Sequence, residues 1–213
     1  MEKNDAEIKK YPIPTIRRMP SYLRVIRAFD YDGRELVSAT DIAQELGLDP
    51  ITVRKDLAYA EATGRPRVGY RVAELRHGIR AILGWDRNSA AILVGAGCLG
   101  SALLGFPGFA RRGLNFVAAF DADPAKSGTL VHECPVLPPA ELDAFVTKHR
   151  IAIAVLTVPA AAAQEVTDRL VGAGIRGIWN FSPVSLKVPP TVVVQTENLM
   201  SGLAVFMVRM GRG

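Results

Sequence analysis

The stretch Ile92–Ser101, ILVGAGCLGS, constrains the fold most, because an apolar run enters a Gly-x-Gly-x-x-Gly turn and leaves as a helical segment. In such a turn Gly95 permits the tight reversal, Gly97 lets the backbone approach a pyrophosphate, and Gly100 lets the helix sit close to the strand. The unpaired N–H groups at the helix start then face the anion. A second apolar run, NFVAAFD, ends in Asp121, 21 residues after Gly100. An acid there accepts a hydrogen bond from a ribose 2′-hydroxyl and repels a 2′-phosphate, which favours NAD(H) over NADP(H). Asp123-Pro124 reads as the turn that follows the strand.

Residues 89–195 alternate short apolar runs with helical stretches, the pattern of βαβ units on a parallel sheet of Rossmann type. Strands are expected at Ala91–Val94, Phe116–Phe120, Ile151–Leu156, Gly177–Trp179 and Val192–Val194. Gly84–Asn88 is the expected joint to what precedes. After the connection Val188-Pro189-Pro190, residues 198–210 carry an apolar stripe of Leu199, Leu203, Phe206 and Met210. That stripe requires burial, and the segment is expected to leave the sheet domain to find it. The reading is therefore an α/β chain with domains at 1–85, 86–196 and 197–213.

The first block differs in texture. Residues 14–84 read as short helices with one glycine-rich excursion. Residues 9–85 carry 14 Lys/Arg against 9 Asp/Glu, while residues 86–213 carry 11 against 9. Most of the formal +5 charge thus lies in the first block, which suits a polyanion partner. Ser38-Ala39-Thr40-Asp41 has the form of a capping box, and Gly47 suits the end of the helix it opens. Asp49-Pro50 then caps a second helix, ITVRKDLAYA. On it Val53, Leu57 and Ala60 share one face, Thr52, Lys55 and Tyr59 fall opposite, and Arg54 lies on the flank. Two helices joined by a tight turn, the second displaying cations and hydroxyls, form a helix-turn-helix suited to double-stranded DNA. Gly64–Tyr70, GRPRVGY, reads as a basic wing carrying Arg65 and Arg67. A small helical dimerisation domain with a charged outer face is the competing reading.

Other classes are disfavoured. No run approaches the roughly 18 apolar residues of a bilayer span, and the polar start MEKNDAEIKKYPIP is unlike a secretion signal. Two cysteines do not make a disulfide framework, so a cytoplasmic location is expected. HExxH, CxxC and GxSxG are absent, and no metal is expected. Hydride transfer needs a group to handle the substrate proton. Each histidine has a plainer role: His77 lies within a helix, His132 in a loop beside Glu133, and His149 at a helix C-terminus. Cys98, at a helix start, is the one tempting thiol. No catalytic residue is assigned. The alternatives are a small NAD-dependent oxidoreductase or a coenzyme-A-binding ligase subunit, whose domain shares the glycine turn and the Asp-x-Asp-Pro pattern.

The ordered set RRMPSYLRVI (17–26), VRKDL (53–57), VGY (68–70), GAGCLGSAL (95–103), FDADPAKSG (120–128), LTVP (156–159) and NFSPV (180–184) resembles the Rex family of bacterial redox-sensing repressors. The resemblance runs from about residue 13 to the end. It implies a homodimer with an N-terminal winged helix, an NAD(H)-binding Rossmann domain and a C-terminal helix exchanged between protomers. It also implies that NADH weakens operator binding and NAD⁺ permits it. By position, Arg54 and Lys55 would contact DNA. The turn Gly95, Ala96, Gly97, Cys98, Leu99 and Gly100 would hold the nucleotide together with Asp121, Thr157 and Pro159, and Phe106 would lie near the nicotinamide. Arg24 would link the winged helix to the partner's cofactor domain. The chain departs from the family pattern at Pro66-Arg67, where arginine-glycine is common, and at Ala60-Glu61, where an aromatic-glycine pair is usual. Phe106 stands for a tyrosine, and Asn198 for an aspartate that joins the Arg24 position in a polar network of the NADH-bound form.

Overall fold

Ser38 and Asp41 close a reciprocal capping box: Asp41 N–H donates to Ser38 Oγ at 3.0 Å, and Ser38 N–H donates to Asp41 Oδ2 at 2.8 Å. They start the helix Ala39–Leu46, which ends at Gly47 with φ of 62°. Asp49 caps the next helix, Pro50–Leu57, from its side-chain oxygen. These are the two helices of the expected helix-turn-helix. The computed structural model describes residues 11–60, 62, 64, 65 and 68–211. The chain forms two compact units, the first ending at Arg87 and the second beginning at Asn88.

In the first unit, α1 (Ile13–Tyr31) precedes β1 (Leu36–Val37), α2 (Ala39–Leu46), α3 (Pro50–Leu57), β2 (Tyr70–Arg71) and α4 (Val72–Ile82). The expectation of short helices fails at α1, which runs 19 residues through Pro20. Proline removes one ladder bond, but Met19, Tyr22, Leu23, Val25 and Ile26 are all buried from this helix, and their packing outweighs the loss. Ile42, Val53, Leu57, Leu75 and Ile79 complete the core. β1 and β2 pair antiparallel, and beyond them Arg65 and Gly69 exchange backbone bonds at 2.8 and 3.0 Å. This is the narrow base of a wing. Arg67, also placed on it by the sequence, lies outside the described residues.

The second unit contains β3 (Ser89–Val94), α5 (Cys98–Leu104), β4 (Leu114–Phe120), β5 (Leu130–Val131), β6 (Cys134–Leu137), α6 (Leu142–His149), β7 (Ile153–Leu156), α7 (Ala160–Ala173), β8 (Gly177–Asn180), β9 (Val193–Thr196) and α8 (Leu199–Met210). The described strands form one sheet in the order β5-β6-β4-β3-β7-β8-β9, parallel except for the β5–β6 hairpin. From β6 to β9 this is the doubly wound order, with its switch point between β3 and β7. The expected strands exist with shifted ends. The strand expected from Ile151 starts at Ile153, because the Ala152 carbonyl instead accepts from Arg176 and Gly177 N–H at 3.0 Å. The strand expected at Val192–Val194 runs Val193–Thr196.

The two faces of the sheet are covered unequally. On one face α6 and α7 bury Phe120, Leu142, Val146, Leu156, Ala163 and Leu170. On the other, Leu93, Ala119, Val136 and Val155 are backed by α5 and by half-buried Phe116, Trp179 and Phe181. Phe109 bridges this aromatic row, with ring centroids 5.1 Å from Phe106 and 5.3 Å from Trp179. The last helix, α8, carries the expected stripe of Leu199, Leu203, Phe206 and Met210, and Met200, Val205, Met207 and Val208 are likewise at least 50% exposed, so its apolar surface extends well beyond the stripe. A helix of that kind is built to be enclosed.

Candidate nucleotide and nucleic-acid sites

The glycine turn lies at the switch point of the sheet. Gly95 has φ of 101°, a conformation that disfavours side chains, and a Cβ there would stand 2.9 Å from the Thr157 carbonyl. Gly100 is buried, and a Cβ on it would overlap the Gly95 carbonyl oxygen and crowd Leu93 and Thr157. Each glycine therefore holds α5 and the loops after β3 and β7 close together. Gly97 is different: a Cβ there would meet nothing within 4 Å. Its backbone faces free space, which is the cradle a pyrophosphate requires. The residues present fit a dinucleotide.

Thr157 is a staple of this cradle. Its hydroxyl donates to the Gly95 carbonyl at 2.6 Å and stands 3.1 Å from the Val94 carbonyl. Pro159 starts α7 beside it. The NFSPV loop braces the same region: Ser182 Oγ donates to the Val158 carbonyl at 2.6 Å, and buried Asn180 holds the Ser182 N–H and the Val184 carbonyl. Ala96 is buried under the turn, whereas Cys98 and Leu99 are exposed on its outer side. Cys134, the other thiol, is buried, and that burial pushes its pKa up to about 11.

Asp121 follows the last residue of β4. Its Oδ1 accepts the Asp123 N–H at 2.9 Å, and its Oδ2 lies 3.1 Å from Lys126 Nζ. Asp123 in turn caps the Ala125 N–H, so Asp123-Pro124 is the expected turn. The spacing does not single out Lys126, and it matters because the acid expected to meet the ribose carries a counter-cation. Phe106 is not gathered into the turn. It lies beyond the C-terminal end of α5, in an open groove of about 620 Å³ with Phe109, Phe116 and His132.

In the first unit the recognition helix displays Arg54 and Lys55, both exposed. Thr52 is half-buried, its hydroxyl 3.4 Å from Asp49 Oδ2. Tyr59 corrects the sequence reading: α3 ends at Leu57, so Tyr59 sits on the following 3-10 turn, half-buried against the core and edge-on to Tyr11 at 5.7 Å. Arg65 is exposed at the wing base, and Arg24 is exposed on α1. Asn198 caps α8, its side chain accepting the Met200 N–H at 2.9 Å.

Asp56, between these cations and Leu57, points inward and is 3% exposed. It receives Thr15 Oγ1 at 2.7 Å, Arg18 Nε at 2.7 Å, Arg18 Nη2 at 2.9 Å and Tyr22 OH at 2.6 Å. Burial alone would raise the acid, but the Arg18, Tyr22 and Thr15 donors outweigh it and hold the carboxyl below its ordinary range. Tyr22, buried and bonded to the carboxylate, is pushed up to about 12. This network ties the recognition helix to α1. Val53, Asp56, Leu57 and Ala60 follow the i, i+3, i+4, i+7 spacing of one helix face, so the signal that finds this buried acid is its place among the apolar residues.

Comparison with known proteins finds a match in each part of the chain. A "CoA binding domain" family profile matches residues 86–184, and a "Putative DNA-binding protein N-terminus" profile matches residues 10–58. The redox-sensing transcriptional repressor Rex of Treponema denticola is 45% identical over 92% of this chain and 94% of its own length. That of Carboxydothermus hydrogenoformans is 42% identical, over 92% of this chain and 94% of its own. Among solved structures, RSP bound to β-NAD⁺ and operator DNA superposes with a TM-score of 0.88 at 31% identity, covering 95% of this chain and 93% of that one. RSP bound to β-NADH gives 0.86, also at 31% identity, with 95% coverage of each chain.

Proposed function

This chain belongs to the Rex family of redox-sensing transcriptional repressors, and we propose that it holds operator DNA as a homodimer while NAD⁺ is bound and releases it when NADH takes the site. The observation that carries this reading is the presence, in one chain, of a helix-turn-helix with exposed cations and a dinucleotide cradle at a sheet switch point. In this reading Gly95 to Gly100 hold the pyrophosphate, Thr157 and Pro159 shape the cradle, and Asp121 accepts from the adenine-side ribose. Thr52, Arg54, Lys55, Arg65 and Arg67 face DNA. The nucleotide supplies the redox signal and the protein performs no chemistry on it, in the cytoplasm and without a metal.

Burial supports the dimer. A doubly wound sheet is covered on both faces, yet the aromatic face of this one is backed by a single seven-residue helix, while α8 presents apolar surface well beyond one stripe. We assign α8 to a second copy of the chain, in the exchanged arrangement. A ligand shifts an equilibrium only through its differential affinity for the two states. NADH must then favour a dimer whose recognition helices no longer match half-sites about 34–36 Å apart. A tenfold change in operator affinity needs about 1.4 kcal/mol of coupling. The test is titration of operator DNA onto the protein with saturating NADH and with saturating NAD⁺, using coenzyme A as a competitor for the same cradle. Equal affinities with the two nicotinamide nucleotides would reject redox sensing, and displacement of both by coenzyme A would favour an acyl-carrier ligand.

A further inference from the structure

Beside the recognition helix lies an open cavity of about 420 Å³, lined by Ser38, Thr40, Arg54, Gly64, Arg65 and Tyr70 among others. Three separate elements contribute to it: the start of α2, the flank of α3 and the wing. None of its described lining residues is acidic. The charge pattern around it is selective. Arg18, Arg34, Arg71, Arg76 and Arg80 are each paired with a carboxylate. Arg54 and Arg65, which face this cavity from opposite elements, have no carboxylate partner among the described residues. The neighbouring cavity on the far side of the wing is lined by Asp30, Glu35 and Glu74 and is also bordered by Arg65, so Arg65 stands between an acidic cavity and one with no described acid, whereas Arg54 lines only the latter of the two. Asp41, the nearest acid to Thr40 in sequence, is already held by Arg34 and by the capping box.

We propose that this cavity seats one phosphodiester of the DNA backbone, gripped jointly by Arg54 from the recognition helix and Arg65 from the wing, with the Thr40 hydroxyl as a further donor. The inference rests on the DNA-binding reading above and deepens it: helix and wing do not contact separate phosphates but close on the same one. Two guanidiniums with no described acid between them repel each other, and a shared phosphodiester, a monoanion with two non-bridging oxygens, offers one acceptor to each donor fork. The volume exceeds that of a phosphate alone and admits the flanking sugars. Lys55 lies outside the cavity lining and is left to make its own contact.

The test begins with a duplex selected by the protein itself from a random-sequence pool. Single neutral methylphosphonates are then scanned along both strands, against wild type, Arg54→Ala, Arg65→Ala, the double variant and Lys55→Ala. The alanine variants alter exposed side chains, so the fold is expected to persist, which circular dichroism checks. On the unmodified duplex each arginine variant is expected to lose about tenfold in affinity, as for one charge-assisted contact, and the double variant less than the product of the two. The slope of log affinity against log salt is expected to fall by about one unit in the double variant, for one phosphate, rather than two. One methylphosphonate position per half-site is expected to weaken wild type and to leave both arginine variants without further loss, while Lys55→Ala still loses affinity there. If Arg54→Ala and Arg65→Ala are masked at different phosphates, or the slope falls by two, the shared seat is refuted and the DNA-binding reading stands. If wild type selects no duplex, the DNA-binding reading falls and the seat with it.

Discussion

Replacing Asp56 by asparagine is expected to loosen the DNA-binding unit far more than a change of one surface charge would. The carboxylate accepts four donations, from Thr15, Tyr22 and twice from Arg18. Asparagine offers one carbonyl oxygen and turns an N–H2 group towards the other donors. Thr15 is 3% exposed and Tyr22 is fully buried, so a lost partner there costs about 1–3 kcal/mol for each hydroxyl. The Arg18 side chain is 30% exposed, and water takes up part of its loss, so its share is discounted. The sum is on the order of 3 kcal/mol, or roughly a hundredfold in the local opening equilibrium. Hydrogen exchange followed by mass spectrometry reads this directly: amides of α3 should exchange about a hundredfold faster, with β3 and β7 unchanged. The pH profile supplies the sign. Asp56 is held below its ordinary value, so its contribution is present above about pH 4 and is lost as pH falls further. The gap between wild type and Asp56→Asn should therefore close in acid. Tyr22 is raised to about 12, so its contribution persists below about pH 10 and fades as pH rises through 12. Tyr22→Phe should flatten that alkaline limb. Unchanged α3 exchange in Asp56→Asn at neutral pH would refute the network as a support of the recognition helix.

Two further expectations concern the second unit. Asp121→Ala should weaken NAD(H) by about 1–3 kcal/mol through loss of a charged acceptor, and because it frees Lys126 it should also raise NADP(H) affinity in calorimetric titration; unchanged affinity for both nucleotides would show that the acid does not meet the ribose. Truncation after Thr196 removes the broadly apolar α8 and should convert dimers to monomers or aggregates in sedimentation. An intact dimer after truncation would show that α8 does not hold the copies together.

What the sequence discloses depends on how local the cause is. The capping box at Ser38, the cap at Asp49, the glycine turn and the turn at Asp123-Pro124 are all decided within a few residues, and each stands where the spacing places it. The register of strand ends is decided by partners distant in sequence: Ile151 looks like strand, but Ala152 bonds to the chain before β8. The β5–β6 hairpin turns at His132 and Glu133, both with positive φ, without the Asn-Gly signal that marks such turns. Asp56 is legible in part: three residues after Val53 and beside Leu57 it falls on the apolar face, but the donors that satisfy it come from another helix. A lysine five residues past Asp121 likewise gains meaning only when the intervening turn folds it back. Tyr59 was misplaced because a helical wheel continues past Leu57, where the backbone tightens into a 3-10 turn.

Asn198 separates two roles that an aspartate at this position would combine. It caps α8 through its side-chain oxygen, and asparagine and aspartate cap equally well. The capping role therefore tolerates either residue, and only the switching role proposed with Arg24 distinguishes them. A guanidinium already makes a charge-assisted bond to an amide oxygen, and a carboxylate adds the ion-pair attraction, up to about 1 kcal/mol for an exposed pair. If the NADH-favoured state contains that contact, Asn198→Asp should leave the helix content of α8 unchanged and enlarge the ratio of operator affinities with NAD⁺ and with NADH by up to about fivefold. Arg24→Ala in the Asn198→Asp background should cancel the gain, whereas a gain from better capping alone would survive it. The measurement is operator binding by fluorescence anisotropy under each nucleotide. An unchanged ratio in Asn198→Asp would mean that the redox signal reaches the DNA-binding unit by a route in which Arg24 and position 198 take no part.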